Sequence, residues 1–430
     1  MEKGSREMKK KFLVVNIILC LLFFAGGSFA ETLEQAWEIG LKVDHLIKAA
    51  GEDTNAKVAQ LAATKGLRLP TVNLGAGYLW LDNEPGAYLY DREFSTADDK
   101  SLSYNATVSL PLYTHFQISS AIDAATANLK AGEFTEIAAR QKVKLKIAEA
   151  YIAIILRKQQ TDVALSHEQS LAAHTVDVKN LHDVGMVPVN DLLAAQVALA
   201  NARQMLLQAQ NRLDLARSAY NRLLNRPLDY EVEISAIPLH YPTVDLADLS
   251  QMASDKRPEL MALGQQVEAL QWQAKSAKAE NGPKVILRSG YDYRENSHQV
   301  NESVWQAMVL ASWDIFDGNV AKHKGLALQS RSRALAEQRQ ELATLIQLQV
   351  RQAWLDMEES RKRIEVTKET LEQAEENLKV TRDRYKEGVG TNTEVLDAET
   401  LRTINYVNYD KAGNDAVFAV IRLHYATGNL

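Results

Sequence analysis

The chain is written twice, and that limits what it can fold into more than any single motif does. LPTVNLGAGY (69–78) aligns with GPKVILRSGY (282–291), so Pro70 matches Pro283, Val72 matches Val285 and Tyr78 matches Tyr291, each 213 positions on. Further along, Tyr113 and Phe316, Tyr151 and Trp354, Gly185 and Gly388, Asp191 and Glu394, and Leu193 and Leu396 lie 203 apart. A shift that holds from Tyr113 to Leu193 means that the intervening elements have equal lengths in both halves. The ten-residue change falls between Tyr78 and Tyr113, where the first half carries DNEPGAYLYDREFSTADDK (82–100), read here as a longer loop. Two structural repeats, 31–235 and 236–430, are therefore expected, rather than two unrelated domains.

Each repeat contains two long helical stretches. Residues 117–185 and 320–388 lack proline and hold glycine only singly or at an edge, so each would span roughly 100 Å as one helix. The helices that follow, about 188–225 and 391–427, complete a hairpin in each half. In the first of these, Leu199, Ala202, Leu206, Ala209, Leu213, Ala216, Tyr220 and Leu223 alternate gaps of three and four. Ile364, Thr367, Leu371, Ala374, Leu378, Thr381 and Tyr385 repeat that spacing late in the second long stretch. This is a coiled-coil seam, and alanine at alternate positions lets helices approach closely.

Four other segments, about 69–81, 101–113, 284–294 and 303–316, alternate with period two. Val72, Leu74, Ala76, Tyr78 and Trp80 oppose Asn73, Gly75 and Gly77, and Leu102, Tyr104, Ala106, Val108, Leu110 and Leu112 oppose Ser103, Asn105, Thr107 and Ser109. Val285, Leu287, Tyr291 and Tyr293 oppose Arg288, Asp292 and Arg294, and Trp305, Ala307, Val309, Ala311, Trp313 and Ile315 oppose Gln306, Ser312 and Asp314. Strands of about ten residues with an apolar outer face and aromatics near their ends are the pattern of a membrane barrel. A soluble sheet with one solvated face alternates the same way, and the exported context and the charges on the inner face favour the barrel. Four strands cannot close one, because open edges in lipid cost several kcal/mol per unpaired backbone group. Several protomers must then share a barrel.

The amino terminus fits this reading. Lys9, Lys10 and Lys11 precede an apolar run from Phe12 to Phe24, and Ser28-Phe29-Ala30 supplies small residues for cleavage, so residues 1–30 are expected to be a signal peptide. Cys20 is the only cysteine, so cleavage leaves a mature chain without thiol chemistry. It also removes five basic and two acidic residues, taking the formal charge from −6 to −9, which argues against nucleic acid as a partner. No later stretch reaches the length of a membrane-spanning helix.

The signal peptide, the two halves, the paired strands feeding long helices, and the turns HDVGMVPVNDLLAAQ (182–196) and KEGVGTNTEVLDAE (386–399) together resemble the TolC family of bacterial outer membrane efflux proteins. RPELMALGQQVEAL (257–270) and LIKAAGEDTNAKVAQLAATKGLRLP (46–70) are similar to the helices that precede the first strand of each half. The resemblance covers residues 33–430. It implies a mainly α chain with membrane β, in which a homotrimer completes a twelve-stranded barrel continuous with a helical barrel in the periplasm. It also implies a barrel set in outer-membrane lipid and docking on a periplasmic adaptor and an inner-membrane transporter, with passive export of small toxic molecules or proteins through the duct. A periplasmic coiled-coil adaptor or scaffold without a pore is the alternative, but it explains neither the matched halves nor the four amphipathic strands.

By the same resemblance, the turns carrying Gly185, Pro188, Gly388 and Gly390 lie at the periplasmic mouth. Glu394 and Asp397 share a helix face, and three copies would place six carboxylates around a narrow opening, favouring cations. Helix capping competes for Glu394, since Thr391-Asn392-Thr393-Glu394 is a capping box. Asp191 and Tyr385 resemble a pair that ties neighbouring helices when the mouth is closed, although Tyr385 also falls on the seam. Where some members carry a basic residue in the second turn, this chain has Gly390. His167, His174 and His182 are spaced too far apart to share one metal ion and fit a solvated or inter-helix face better. HExxH, phosphate-loop, dinucleotide and GxSxG motifs are all missing from the sequence. No enzyme activity, cofactor or metal is expected.

Overall fold

A computed structural model describes residues 30–430. The expected signal peptide, 1–30, lies outside the described residues except for Ala30. The elements run α1 (Leu33–Val43), α2 (His45–Gly66), β1 (Thr71–Trp80), β2 (Gly86–Leu89), β3 (Arg92–Ser95), β4 (Lys100–Tyr113), α3 (Gln117–Asp183) and α4 (Val189–Leu223). There follow α5 (Leu246–Lys256), α6 (Pro258–Lys278), β5 (Lys284–Arg294), β6 (Ser303–Ser312), α7 (Val320–Lys386) and α8 (Asn392–Ala426). Helices α3 and α7 have 67 residues each, and α4 and α8 have 35 each. Both ends of each pair are offset by the same 203 positions that the sequence repeat shows. Among the described residues, no helix is long and apolar enough to cross a membrane.

Two compact units form, and each draws on both repeats. One holds residues 48–139 and 256–346. Its centre is a four-stranded antiparallel sheet ordered β1-β4-β5-β6, so β1 and β6 are its open edges. Residues paired across an antiparallel ladder share a face. The register joins Ala76 to Tyr104, Tyr104 to Tyr293, and Tyr291 to both Ala106 and Trp305. One face thus collects the apolar sets of all four strands, with Tyr104 stacked on Tyr293 at 4.5 Å and Tyr291 5.0 Å from Trp305. The other face collects Asn73, Gly75, Asn105, Thr107, Arg288, Asp292 and Gln306. A one-residue slip would exchange the two faces, so the alternation itself fixes the register.

Two details depart from the sequence reading. Strand β6 stops at Ser312 rather than near 316, because its partner β5 begins at Lys284, opposite Ser312, directly after Pro283. The longer first-half loop is not wholly irregular: β2 and β3 form a hairpin whose turn, Tyr90-Asp91, has φ of 50° and 62°. Positive φ at both central turn positions matches the twist of a tight hairpin, and Asp tolerates it better than most residues.

The other unit holds residues 30–47, 140–255 and 347–430. The seam residues behave as their spacing requires: Ala202, Leu213, Tyr220, Leu371, Ala374, Leu378 and Tyr385 are buried. Its largest apolar cluster surrounds Ile147, Tyr151 and Tyr220, all fully buried. Tyr151 is held there by its phenol, which reaches the carbonyls of Glu31 at 2.6 Å and Ser235 at 2.7 Å. Tyr220 donates to the Glu31 carboxylate at 3.1 Å, and Arg226 clamps that carboxylate at 2.8 and 3.1 Å.

Candidate gate at the helix turns

The two hairpin turns are built alike. In the first, Gly185 has φ +77°, its N–H donates to the His182 carbonyl at 2.8 Å, and the Met186 N–H donates to the Leu181 carbonyl at 2.9 Å. In the second, Gly388 has φ +75°, with Gly388 donating to Tyr385 and Val389 to Arg384, both at 3.0 Å. Both are Schellman caps, which consume the orphan carbonyls at a helix end and need a left-handed residue that glycine supplies without strain. Gly390 adds a third bond to the Arg384 carbonyl at 3.1 Å.

The starts of the returning helices differ. Pro188 is the N-cap of α4 and makes no side-chain cap. Thr391 caps α8 through a full capping box, in which Glu394 N–H donates to Thr391 Oγ1 and Thr391 N–H donates to Glu394 Oε2, both at 3.2 Å. Glu394 is thus occupied as a cap while remaining exposed, and Asp397, one turn on, is exposed as well.

Behind the turns, Val178, Ala195, Leu378, Tyr385, Val395 and Ala398 form a small apolar core to which α3, α4, α7 and α8 all contribute. Tyr385 is buried, and its hydroxyl makes no hydrogen bond to any of the described residues. Burial pushes its pKa up, and the negative charges of Asp191 and Asp177 push it the same way. Asp191 therefore lies near the phenol without bonding to it. What links Asp191 to the opposite hairpin is its backbone. Asn392 Nδ2 donates to the Asp191 carbonyl at 3.1 Å, and Asn392 Oδ1 sits 2.7 Å from His174 Nε2.

One turn of α3 earlier, a second polar cluster joins three helices. Glu399 of α8 is fully buried, and its Oε1 accepts from Ser170 of α3 and from Arg382 of α7. Arg402 lies 3.4 Å from Oε2 and His167 Nδ1 lies 3.7 Å from it, while Thr403 Oγ1 is 3.0 Å from the same His167 nitrogen. Burial raises the Glu399 pKa, but contacts with His167 and Ser170 and the charges of Arg402 and Arg382 outweigh it and hold the carboxyl below its ordinary value. The three histidines thus have separate partners: Thr403 for His167, Asn392 for His174, and the Val187 carbonyl for His182 at 3.1 Å. Sequence reasoning gave all three a solvated or inter-helix face, of which His167 and His174 take the inter-helix one, but missed Glu399, Arg382 and Ser170. Glu399 could have been suspected from its place among Val395, Ala398 and Thr403, all buried along one side of α8.

Comparison with known proteins gives a consistent result. The model of a family described as outer membrane efflux protein matches residues 41–226 and 249–429. The alkaline protease secretion protein AprF of Pseudomonas aeruginosa is 22% identical over 433 residues, covering 95% of this chain and 87% of AprF. Among solved structures, the outer-membrane channel OprN superposes with a TM-score of 0.80 at 17% identity, covering 93% of this chain and 90% of OprN. VceC from Vibrio cholerae gives 0.79 at 18% identity, with 92% and 96% covered. The open state of MtrE from Neisseria gonorrhoeae gives 0.75 at 17% identity, with 92% and 88% covered.

Proposed function

The chain belongs to the outer membrane efflux protein family and is on that ground an outer-membrane channel, and we propose that three copies form the passive exit duct of a tripartite efflux or secretion system. The observation that carries this reading is the sheet: four strands with one continuous apolar face and two open edges. Such a sheet is stable in lipid only when its edges are paired by further copies. Four strands from each of three protomers give a twelve-stranded barrel, which lies in the range of bacterial outer-membrane barrels. The long helices form the periplasmic part, where an adaptor and an inner-membrane transporter supply the driving energy. AprF is named for secretion of a protease, so protein cargo is one use of such a duct alongside small toxic molecules.

The turns around Gly185, Pro188, Gly388 and Gly390 form the mouth in this reading. Exposure of Glu394 and Asp397 supports a ring of carboxylates that concentrates cations there. Purified protein in a planar bilayer should give discrete conductance steps with cation preference. A protein that fractionates with the outer membrane yet never conducts would contradict the duct. Glu394→Gln with Asp397→Asn keeps the shape and some capping while removing charge, so cation preference should fall and the helix start should survive. Unchanged selectivity in that variant would leave the two carboxylates as caps.

A further inference from the structure

Buried between the two hairpins, His174 makes a contact that the duct itself does not explain. Asn392 has a fixed orientation, because its Nδ2 donates to the Asp191 carbonyl at 3.1 Å. Its Oδ1 therefore faces His174 Nε2 at 2.7 Å and can only accept. That places a proton on Nε2, so a second proton must enter on Nδ1. The chain of bonds runs from His174 on α3 through Asn392 on α8 to the backbone of Asp191 on α4. The ring of Tyr385 on α7 lies 5.4 Å from the imidazole. His174, Asn392 and Tyr385 are each at least nine-tenths buried. All four helices of the mouth thus meet at one titratable group.

We propose that His174 is the proton-sensing residue of the mouth: a second proton, on Nδ1, leaves the bond to Asn392 in place but puts a positive charge into the buried junction of the α3–α4 and α7–α8 hairpins, beside Arg382, and so favours opening. The charged and titratable groups around it are Arg382 and Tyr385 of α7, Glu399 of α8 and Asp177 of α3 itself, while the Asp191 carboxylate of α4 lies near the Tyr385 phenol. Glu399 is already bound to Arg382 and lies beside Arg402, so it has little charge to spare for an imidazolium. Burial lowers the pKa of His174 and Arg382 lowers it further, against the opposing effects of Asn392, Asp177 and Glu399. The sign follows from linkage. With the pKa depressed in the packed mouth, the stability that a neutral ring lends the packed form is fully present above the ordinary histidine range and is lost as pH falls through the lower value. In an opened mouth the ring is hydrated and regains its usual affinity for protons, so acid selects the open form.

The test compares the full-length trimer with His174→Gln, whose amide still donates to Asn392 but does not titrate, and with His167→Gln as a control at the neighbouring cluster. Two readouts are taken from about pH 7.5 to about pH 5, the span in which histidine changes charge. The first is conductance in a planar bilayer, which rests on the duct reading. The second is backbone hydrogen exchange over residues 181–192 and 385–395, taken relative to the unstructured-chain rate at each pH, which does not. In wild type both should rise on acidification, by up to about tenfold per pH unit between the two histidine values. His174→Gln should abolish the rise, and His167→Gln should retain it. An acid response that persists in His174→Gln, or moves to His167→Gln, overturns the proposal, as does flat exchange in wild type. If exchange responds through His174 while no current ever passes, the duct reading fails and the sensor stands.

Discussion

Removing one member of the Glu399 cluster should cost far more than neutralising the charged pair. Arg382→Met strips the α7 cation from Oε1 and leaves a fully buried carboxylate with Ser170, His167 and Arg402. Leaving one partner of a buried ion pair alone costs about 3 to 5 kcal/mol. The Arg382 side chain is 32% exposed and Arg402 remains, so we expect less than that, about 2 to 3 kcal/mol. Arg382→Met combined with Glu399→Gln removes both charges and keeps an acceptor for Ser170 and Arg402, so it should return to within about 1 kcal/mol of wild type. Detergent-extracted membrane proteins commonly unfold irreversibly, so the assay is the half-life of the native protein at a fixed elevated temperature. If the cluster opens before the rate-limiting step, 2 to 3 kcal/mol shortens that half-life about 30- to 150-fold. The wild-type advantage should also be pH-dependent. With the carboxyl held low, its contribution is present above the ordinary glutamate range and is lost as pH falls through the lower folded value. A double variant as labile as the single one, or a single variant within twofold of wild type, would refute the reasoning.

Three further outcomes are expected. Tyr151→Phe removes the donor shared by the Glu31 and Ser235 carbonyls and should cost about 1 to 3 kcal/mol, read in the same half-life series; no change would mean that water replaces the phenol. Arginine at Ala76 or Val309, on the apolar face of the sheet, should cost about 2 to 4 kcal/mol near mid-bilayer and lower the yield of membrane-inserted trimer. Arginine at Asn105 or Ser109, on the opposite face, should assemble normally, and equal behaviour of the two sets would mean that the apolar face does not meet lipid. Gly185→Ala and Gly388→Ala force a Cβ into left-handed backbone at φ +77° and +75°, costing about 1 to 2 kcal/mol each, which faster proteolysis at the two turns would report.

Features of the sequence that repeat could be read, and features that occur once could not. The strand faces, the seam and the glycine caps each recur with a fixed period or at a fixed offset, so several residues vote for the same geometry. Glu399 and His174 belong to three-dimensional clusters whose partners on other helices are 17 to 232 positions distant, and a lone Glu on a helix reads as solvated. The phenol of Tyr385 was expected to find the Asp191 carboxylate; instead the Asn392 amide takes the Asp191 carbonyl. A backbone acceptor carries no signature in a sequence. The β2–β3 hairpin was overlooked because its strands have four residues each and their turn is Tyr-Asp rather than a glycine pair.

The equal lengths of α3 and α7, and of α4 and α8, also say which changes this chain can survive over evolutionary time. Substitutions along these helices are local events. A single inserted residue is not, because it turns everything downstream by about 100° and advances it by about 1.5 Å. In α7 that would swing Leu371, Ala374, Leu378 and Tyr385 off the seam and carry Arg382 away from Glu399. Only an insertion of about seven or eleven residues would come close to restoring the faces, and it would still misplace the turn against its counterpart on α3. Length variation is therefore expected to collect in the strand connections, and the one mismatch between the repeats, ten residues that end up in a small hairpin between β1 and β4, falls there.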